Sequence, residues 1–539
     1  MPAPHHPADF PLLIKSLLRT PQQIAPDTEI VSDGLTRYRY RDLETRLQRL
    51  GAGLASHGIG AGSVVAVMDW DTHRYFEAFF AVPMLGAVLH TVNVRLAPAQ
   101  IAYTIDHAED DVMMVHVDFL PLLEQVMPLV TRKVGFILLR DHADQQPETD
   151  VAFISSYDEM LATPAEDFTF PDFDEDARAT TFYTTGTTGE PKAVAYTHRQ
   201  IVLHTMGVLA GFGPVETDNR IHRGDVYMPL TPMFHVHAWG FPYAATLLGI
   251  KQIYPGRYIA ANLLRLIVEE GATFTHCVPT ILQMLLAAPE VEDTDLSRLK
   301  MVIGGSALPR GLAAAAMQRG IDIYAGYGLS ETCPVLSFAA LKPGEEEDVA
   351  ARVRTGRPLP LVDLRIVDEE MAEQPRDGAS TGEVVVRAPW LNAAYLKDEG
   401  ASEALWRGGM MHTGDVGHID AAGNLQITDR MKDVIKSGGE WVSSLALESI
   451  ASGVSGVGEV AAIGIPDPQW GERPLLLIVG AEGFDRSAVE EALGSVFDAE
   501  VAAGKLSKWA VPKDIRFVAE IAKTSVGKID KKALRAGLA

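Results

Sequence analysis

Apolar residues recur at helical spacing from Arg41 onward, at Leu43, Leu47, Leu50 and Leu54. That spacing draws one buried stripe along a helix, which Gly58 and Gly60 end. Val64–Met68 is apolar throughout and reads as a strand buried on both faces. The pattern next predicts a helix over 73–85, a strand over 88–92, a helix over 97–108 and a strand over 111–117. It resumes after a glycine-rich stretch at 184–192. There it predicts a helix over 262–270, a strand over 272–278, a helix over 280–288 and the strand Lys300–Ile303, which stops at Gly304-Gly305. A helix over 309–319 and a strand over 321–324, running into a loop at Gly326, complete the series. Strand and helix alternate, so the expected fold class is α/β, with a parallel sheet covered on both faces. From about Leu341 short segments such as 362–367 and 383–387 sit between Gly, Pro and Asp turns, a β-rich texture. After Lys432 the pattern is mixed α and β again.

A chain of 539 residues exceeds one ordinary core, so two to about four domains or subdomains are expected. Hydrophobic residues make up 47% and charged residues 22%, a folded rather than disordered composition. Acidic residues outnumber basic ones by 71 to 47, a net charge of -24. That argues against a nucleic-acid partner, which requires a basic face, and disfavours docking on anionic lipid. An anionic substrate must instead be drawn in by local positive groups. Two cysteines, Cys277 and Cys333, cannot staple a chain of this size, which points to a reducing compartment. No apolar run reaches the roughly 18 residues of a spanning helix, and the first ten residues lack the layout of a secretion signal. The expectation is a cytoplasmic protein with no integral membrane segment.

Chemistry concentrates in a few stretches. The first is Tyr183-Thr184-Thr185-Gly186-Thr187-Thr188-Gly189-Glu190-Pro191-Lys192. Its glycines let the backbone curl so that N–H groups converge on an anion, its hydroxyls add donors, and Lys192 adds a charge. It reads as a phosphate cradle, though not a Walker A loop, because Lys192 lacks the preceding Gly and following Ser/Thr. A plain Thr/Gly surface turn is the alternative. In Thr231-Pro232-Met233-Phe234-His235-Val236-His237-Ala238-Trp239, the His-x-His pair suits either a metal or a packed aromatic wall. Gly304 and Gly305 end a predicted strand, where parallel sheets bind ligands; without side chains they let an acyl chain or adenine approach, or simply make a tight turn. Tyr327-Gly328-Leu329-Ser330-Glu331-Thr332 also follows a strand; it offers a stacking face and a hard carboxylate suited to magnesium. Thr413-Gly414-Asp415 supplies a carboxylate able to accept two ribose hydroxyls. The run 429–433, Asp-Arg-Met-Lys-Asp, taken alone reads as a solvated charge run, and the basic stretch 523–532 as a solvated tail.

Together and in this order, these stretches resemble the adenylate-forming superfamily of acyl-CoA synthetases, luciferases and peptide-synthetase adenylation domains, over nearly the whole chain. The sequence has Thr-Thr-Gly where many members have Thr-Ser-Gly, which keeps the hydroxyl, and Pro-Lys-Ala193 where most have Pro-Lys-Gly. The resemblance implies a large N-terminal domain of stacked αβα-type sheets over 1–431, with a small β-barrel-like subdomain over about 341–431. A small, mobile α+β C-terminal domain would follow over 432–539, hinged at Lys432. ATP, magnesium and coenzyme A are the implied cofactor and co-substrates, and a homodimer the implied assembly.

Residue by residue, the resemblance implies nucleotide binding by Thr184, Thr185, Gly186, Thr187, Thr188, Gly189, Lys192, Gly304, Tyr327, Gly328, Thr332, Asp415 and Arg430. Tyr327 would pack on adenine and Thr332 would touch the α-phosphate. Glu331 would hold magnesium, with Thr187 as a secondary ligand. His235, Trp239, Gly304 and Gly305 would line the acyl site, with Trp239 as its gate. Ser437, Gly438, Gly439 and Glu440 would line the CoA tunnel. Lys528, His235 and Thr187 would be catalytic, Lys528 as the adenylation lysine and Lys523 as the weaker candidate. Within the superfamily the segment 233–239 and the run 251–258 look most like bacterial fatty acyl-CoA ligases acting on medium-chain acids, with methylmercaptopropionate-CoA ligases next. A catalytically inactive nucleotide-binding regulator is the alternative of another class; the presence of Glu331, Asp415, Arg430 and Lys528 argues against it.

Overall fold

A computed structural model describes residues 10–142, 145, 147–184, 190–437, 440–504, 506–525 and 527–538, with the side chains of Glu440 and Trp441 outside the description. The buried apolar strand Val64–Met68 pairs in parallel with Val88–Thr91 on one side and Val112–His116 on the other. Around these three a seven-stranded sheet forms, in the spatial order Phe153–Ser156, Gly135–Leu139, Val112–His116, Val64–Met68, Val88–Thr91, Arg178–Thr184, Lys192–Thr197. Only the last pair is antiparallel: Thr184 lies opposite Lys192, which brings the two ends of the phosphate-loop segment side by side. The helix His73–Met84, buried along its whole length, packs among these strands.

A second, nine-stranded sheet has a parallel centre. There Lys251–Tyr254, Val226–Pro229, Phe274–Cys277, Lys300–Ile303 and Asp322–Gly328 lie side by side, and antiparallel strands close both edges. One apolar cluster runs through both sheets, from Ile14 to Leu425. Predicted and observed elements agree within a few residues through this region. The exception is the strand expected to stop before Gly326. It continues through Tyr327 to Gly328, because Val335–Phe338 folds back and pairs with it; sequence periodicity carries no sign of that long-range partner.

The β-rich stretch is a four-stranded antiparallel meander of Asp363–Val367, Gly382–Arg387, Met411–Ile419 and Leu425–Arg430. It is tied to the nine-stranded sheet by paired backbone bonds between Gly356 and Leu425. Beyond Arg430 the core changes. Ile435, Val442, Leu447, Leu476, Ile478 and Phe497 form a separate cluster around the strands Ile435–Ser437, Gly471–Gly480 and Val457–Asp467. Polar contacts from this part back to the large one include Asn93 Nδ2 and Arg95 Nη1 donating to Ser525 Oγ and O at 3.1 and 3.2 Å, Gln283 Nε2 donating to Gly458 O at 2.9 Å, and Ser444 Oγ–H donating to Asp429 Oδ2 at 2.7 Å.

Gly356 has φ +89°, and a Cβ there would lie 1.8 Å from Phe338 O. Left-handed strain and overpacking each cost about 1–3 kcal/mol. Gly356→Ala is therefore expected to destabilise the large part by about 2–4 kcal/mol, read as a lowered urea midpoint; an unchanged midpoint would contradict this packing.

Candidate active site

The carboxyl ends of the nine-stranded sheet's central strands open on one cleft of about 410 Å³. His235, Trp239, Gly304, Gly305, Tyr327, Gly328 and Lys528 all line it, although they come from four separate stretches of chain. Val236, Val302, Val335 and Phe338 complete an apolar wall. A Cβ on Gly304 would stand 3.1 Å from both the Trp239 ring and Gly326 O, and one on Gly305 would stand 3.3 Å from Lys528 Cε. The glycine pair therefore admits the indole on one side and the lysine stem on the other. Trp239 rests on His276 with ring centroids 5.1 Å apart.

The segment that carries His235 and Trp239 is strained. Val236, His237, Ala238 and Trp239 have φ of +48°, +55°, +47° and +58°, and Gly240 follows at +75°. Four consecutive non-glycine residues in the left-handed region cost about 1–2 kcal/mol each, so surrounding contacts must impose the turn. Asp71 Oδ1 accepts Met233 N–H at 2.9 Å, and the Thr91 hydroxyl donates to Phe234 O at 2.8 Å. The His237 ring is packed against Phe79, Phe182 and Tyr243. Of the two readings of His-x-His, this is the aromatic wall: His235 faces the cleft and His237 points into the core. Both imidazoles are pulled down to about 3 by burial, so both are neutral. Nothing in residue spacing announces the left-handed turn.

Lys528 enters the cleft from the C-terminal part. Its loop is closed on itself, with Thr524 N–H donating to Lys528 O at 2.7 Å. Its ammonium is pulled down to about 8, first by burial and then by Arg430, while Asp415 and Glu331 oppose the shift. Lys523 lies on the other side of the loop, where its Nζ pairs with Glu459 at 2.8 Å; of the two candidates only Lys528 faces the cleft.

At the rim, the Tyr327 hydroxyl donates to Asp415 Oδ2 at 2.7 Å, and Arg430 Nε stands 3.2 Å from Asp415 Oδ1. Asp415 and Arg430 lie opposite each other in adjacent strands. Burial pushes the Asp415 carboxyl up against the pull of Arg430 and Tyr327. The run 429–433 is not a solvated face: Asp429 is buried and accepts Ser444 Oγ–H at 2.7 Å. Lys432 follows on an exposed turn. Thr332 is fully buried. Its hydroxyl accepts Leu329 N–H at 2.9 Å and also bonds Pro334 O, so in this structure it serves the turn and not the cleft.

Glu331 and Lys192 meet through a residue that motif reading missed. The Tyr395 hydroxyl donates to Glu331 Oε1 at 2.7 Å, and Lys192 Nζ lies 4.7 Å from the centre of the Tyr395 ring. An aromatic at that position carried no signal in the sequence taken alone. Thr184 closes the hairpin opposite Lys192. Thr185, Gly186, Thr187, Thr188 and Gly189 lie outside the described residues, as do Gly438, Gly439 and the side chain of Glu440. Ser437 is buried in the C-terminal sheet, opposite Gly471. Among the described residues no three His, Cys, Asp or Glu side chains cluster to hold a metal. Glu331 alone fits magnesium in the manner of sites with one or two carboxylates, where nucleotide oxygens and water supply the other ligands.

A polar rim of tyrosine, aspartate and arginine thus stands beside an apolar slot into which the Lys528 ammonium projects. Comparison with known proteins gives the family. The AMP-binding enzyme model matches residues 18–396 and the AMP-binding enzyme C-terminal domain model matches 446–528. A long-chain-fatty-acid–CoA ligase of Thermus thermophilus is 41% identical over 93% of this chain and 90% of its own length. A 3-methylmercaptopropionyl-CoA ligase of Ruegeria lacuscaerulensis is 37% identical over 97% of both. A medium-chain-fatty-acid–CoA ligase of Ectopseudomonas oleovorans is 33% identical over 97% and 95%. The crystal structure of the anthranilate CoA ligase AuaEII with anthranoyl-AMP shares the fold, at TM-score 0.84 and 24% identity over 99% of both chains. The chain belongs to the AMP-binding enzyme family, in the acyl-CoA synthetase branch of the adenylate-forming superfamily. It is an ATP-dependent, AMP-forming acid–CoA ligase that works through an acyl-adenylate.

Asp71, which anchors the strained segment, has its carboxyl pushed up to about 7, chiefly by burial, against the Met233 N–H and the Tyr258 hydroxyl. An unfolded aspartate titrates near about 4. Between about pH 4 and pH 7 the folded chain thus holds the extra proton, and stability falls as pH rises across that window. Asp71→Asn removes this component. Its urea midpoint is expected to improve relative to wild type on going from about pH 5 to about pH 7; a constant difference would show that Asp71 titrates normally.

Proposed function

We propose that the acid is a short- to medium-chain fatty acid, bound with its carboxylate beside His235 and Lys528 and its chain along the apolar wall. The observation that carries this reading is the cleft itself. Among the described residues of its lining Lys528 is the one cation, and the wall of Val236, Trp239, Val302, Val335 and Phe338 offers an acyl chain no charge to pair with. Trp239, set against Gly304, closes the slot and limits its depth. A short thioether acid is the second reading, favoured by the 37% identity to a 3-methylmercaptopropionyl-CoA ligase.

The chemistry follows from charge. A carboxylate oxygen is a poor leaving group until it is joined to AMP. That requires a carboxylate oxygen to attack the α-phosphorus while the bond to pyrophosphate breaks, and both partners are anions. Lys528 Nζ, standing between rim and slot, holds the positive charge that draws them together; a fixed donor of this kind contributes about 3–4 kcal/mol. Lys192 stands beside the phosphate loop to take the triphosphate. Magnesium, when bound, would offset the triphosphate charge. Neutral His235 packs beside the reacting carboxylate without adding a second charge. The CoA thiol then attacks the acyl carbonyl and AMP leaves.

Lys528 obstructs that second approach, so the small part, 432–539, turns about Lys432 between the steps. Its separate core supports this reading. The 437–440 loop then lines the path of the thiol. The resemblance to acyl-CoA synthetases further suggests a homodimer, and two free, buried cysteines fit a reducing compartment such as the cytoplasm.

A panel of fatty and thioether acids assayed for AMP release with CoA tests the substrate; no turnover on any of them would end the proposal. Lys528→Ala is expected to slow acid-dependent ATP–pyrophosphate exchange by at least about 10²- to 10³-fold, while CoA transfer from a supplied acyl-adenylate stays near wild type. Equal loss in both half-reactions would remove Lys528 from its role. Because the ammonium is charged below about 8 and neutral above it, kcat/KM for exchange should fall as pH rises through that value. In Lys528→Arg the fall should move to higher pH.

A further inference from the structure

Tyr395 is held from its backbone. It bridges Val194 in the strand that leaves the phosphate loop, the next residue's N–H donates to Ala193 O at 3.1 Å, and its own N–H donates to Ser402 Oγ at 2.9 Å. The ring therefore stands at a fixed place between two charged side chains. Its face takes the Lys192 ammonium, 4.7 Å from the centroid, and its hydroxyl takes the Glu331 carboxylate at 2.7 Å. Glu331 is fixed in turn, since its carbonyl accepts Asn392 N–H at 2.8 Å and the preceding carbonyl, of Ser330, accepts the Tyr196 hydroxyl at 2.6 Å.

Unlike charges this close in a partly dehydrated site attract strongly, yet among the described residues Lys192 and Glu331 form no direct ion pair. A direct pair would use up both the charge a triphosphate needs and the carboxylate a divalent cation needs. The tyrosine gives each a weaker partner. The ring face attracts the ammonium through its quadrupole, and the hydroxyl offers the carboxylate a single charge-assisted bond. Each contact yields readily to the stronger ligand, phosphate for one and a dication for the other.

We propose that Tyr395 is a positioning residue that keeps Lys192 and Glu331 apart and ready for the phosphates of metal-bound ATP. The proposal rests on the roles given to those two residues above.

The test is calorimetric binding of ATP to the full chain, with EDTA and with Mg2+. Tyr395→Phe keeps the ring and loses the hydroxyl, so the gain in affinity on adding Mg2+ should shrink by about tenfold, the size of one bond to a charged group. Tyr395→Leu lets Glu331 reach Lys192, so binding in EDTA should also weaken by about tenfold. Adding Glu331→Gln to Tyr395→Leu removes the competing charge and should restore binding in EDTA, which a merely structural role for the ring would not do. A wild-type Mg2+ gain in Tyr395→Phe, or no recovery in the double variant, overturns the proposal. If Tyr395→Leu fails to fold, the phenylalanine variant alone decides. Acid-dependent pyrophosphate release is measured separately, so failure of the ligase reading stays distinct from failure of the tyrosine's role.

Discussion

The ammonium of Lys528 stands in a cleft walled largely by apolar side chains, and losing water there costs free energy that its neighbours only partly return. Arg430 adds repulsion, while Asp415 and Glu331 offset some of the loss. The cation is thus left under-compensated until an anion joins it, and a carboxylate beside a phosphate completes the balance. A chain of net charge -24 repels such ligands at long range. On the proposed reading, attraction is therefore built locally, from Lys192, Arg430 and Lys528.

The scaffold accepts strain to keep that arrangement. The left-handed turn at 236–239 opposes the ordinary preference of every residue in it. It persists because Asp71 and Thr91 hold the residues leading into it and a wall of aromatic rings packs on His237 within it. The result places an imidazole and an indole on the cleft side while a second imidazole is buried behind them. Conflicts between local preference and global fold tend to gather where function demands a particular side-chain direction.

The two cores divide the site between them. Lys528 and its loop belong to a part with its own core, joined to the large part by hydrogen bonds at Asn93, Arg95, Gln283 and Asp429. The rim of Tyr327, Asp415 and Arg430, and the clamp at Tyr395, belong to the large part, anchored in paired strands. On the proposed mechanism, the charge needed only for the first step is carried by the smaller part, and the nucleotide's contacts by the larger one.

The sequence by itself determined the alternating α/β plan, the strands at 64–68 and 300–303, and the chemical types at Lys192, Glu331, Asp415 and Lys528. Periodicity and motif spacing are local properties, and the chain carries them openly. What only the tertiary structure decided was which of these residues meet. It extended the strand to Gly328 by a distant partner, turned Thr332 inward, chose Lys528 over Lys523 for the cleft, and set Tyr395 between Lys192 and Glu331. Each of these depends on contacts between residues far apart in the chain, where packing and dehydration, not local preference, set the lowest free energy.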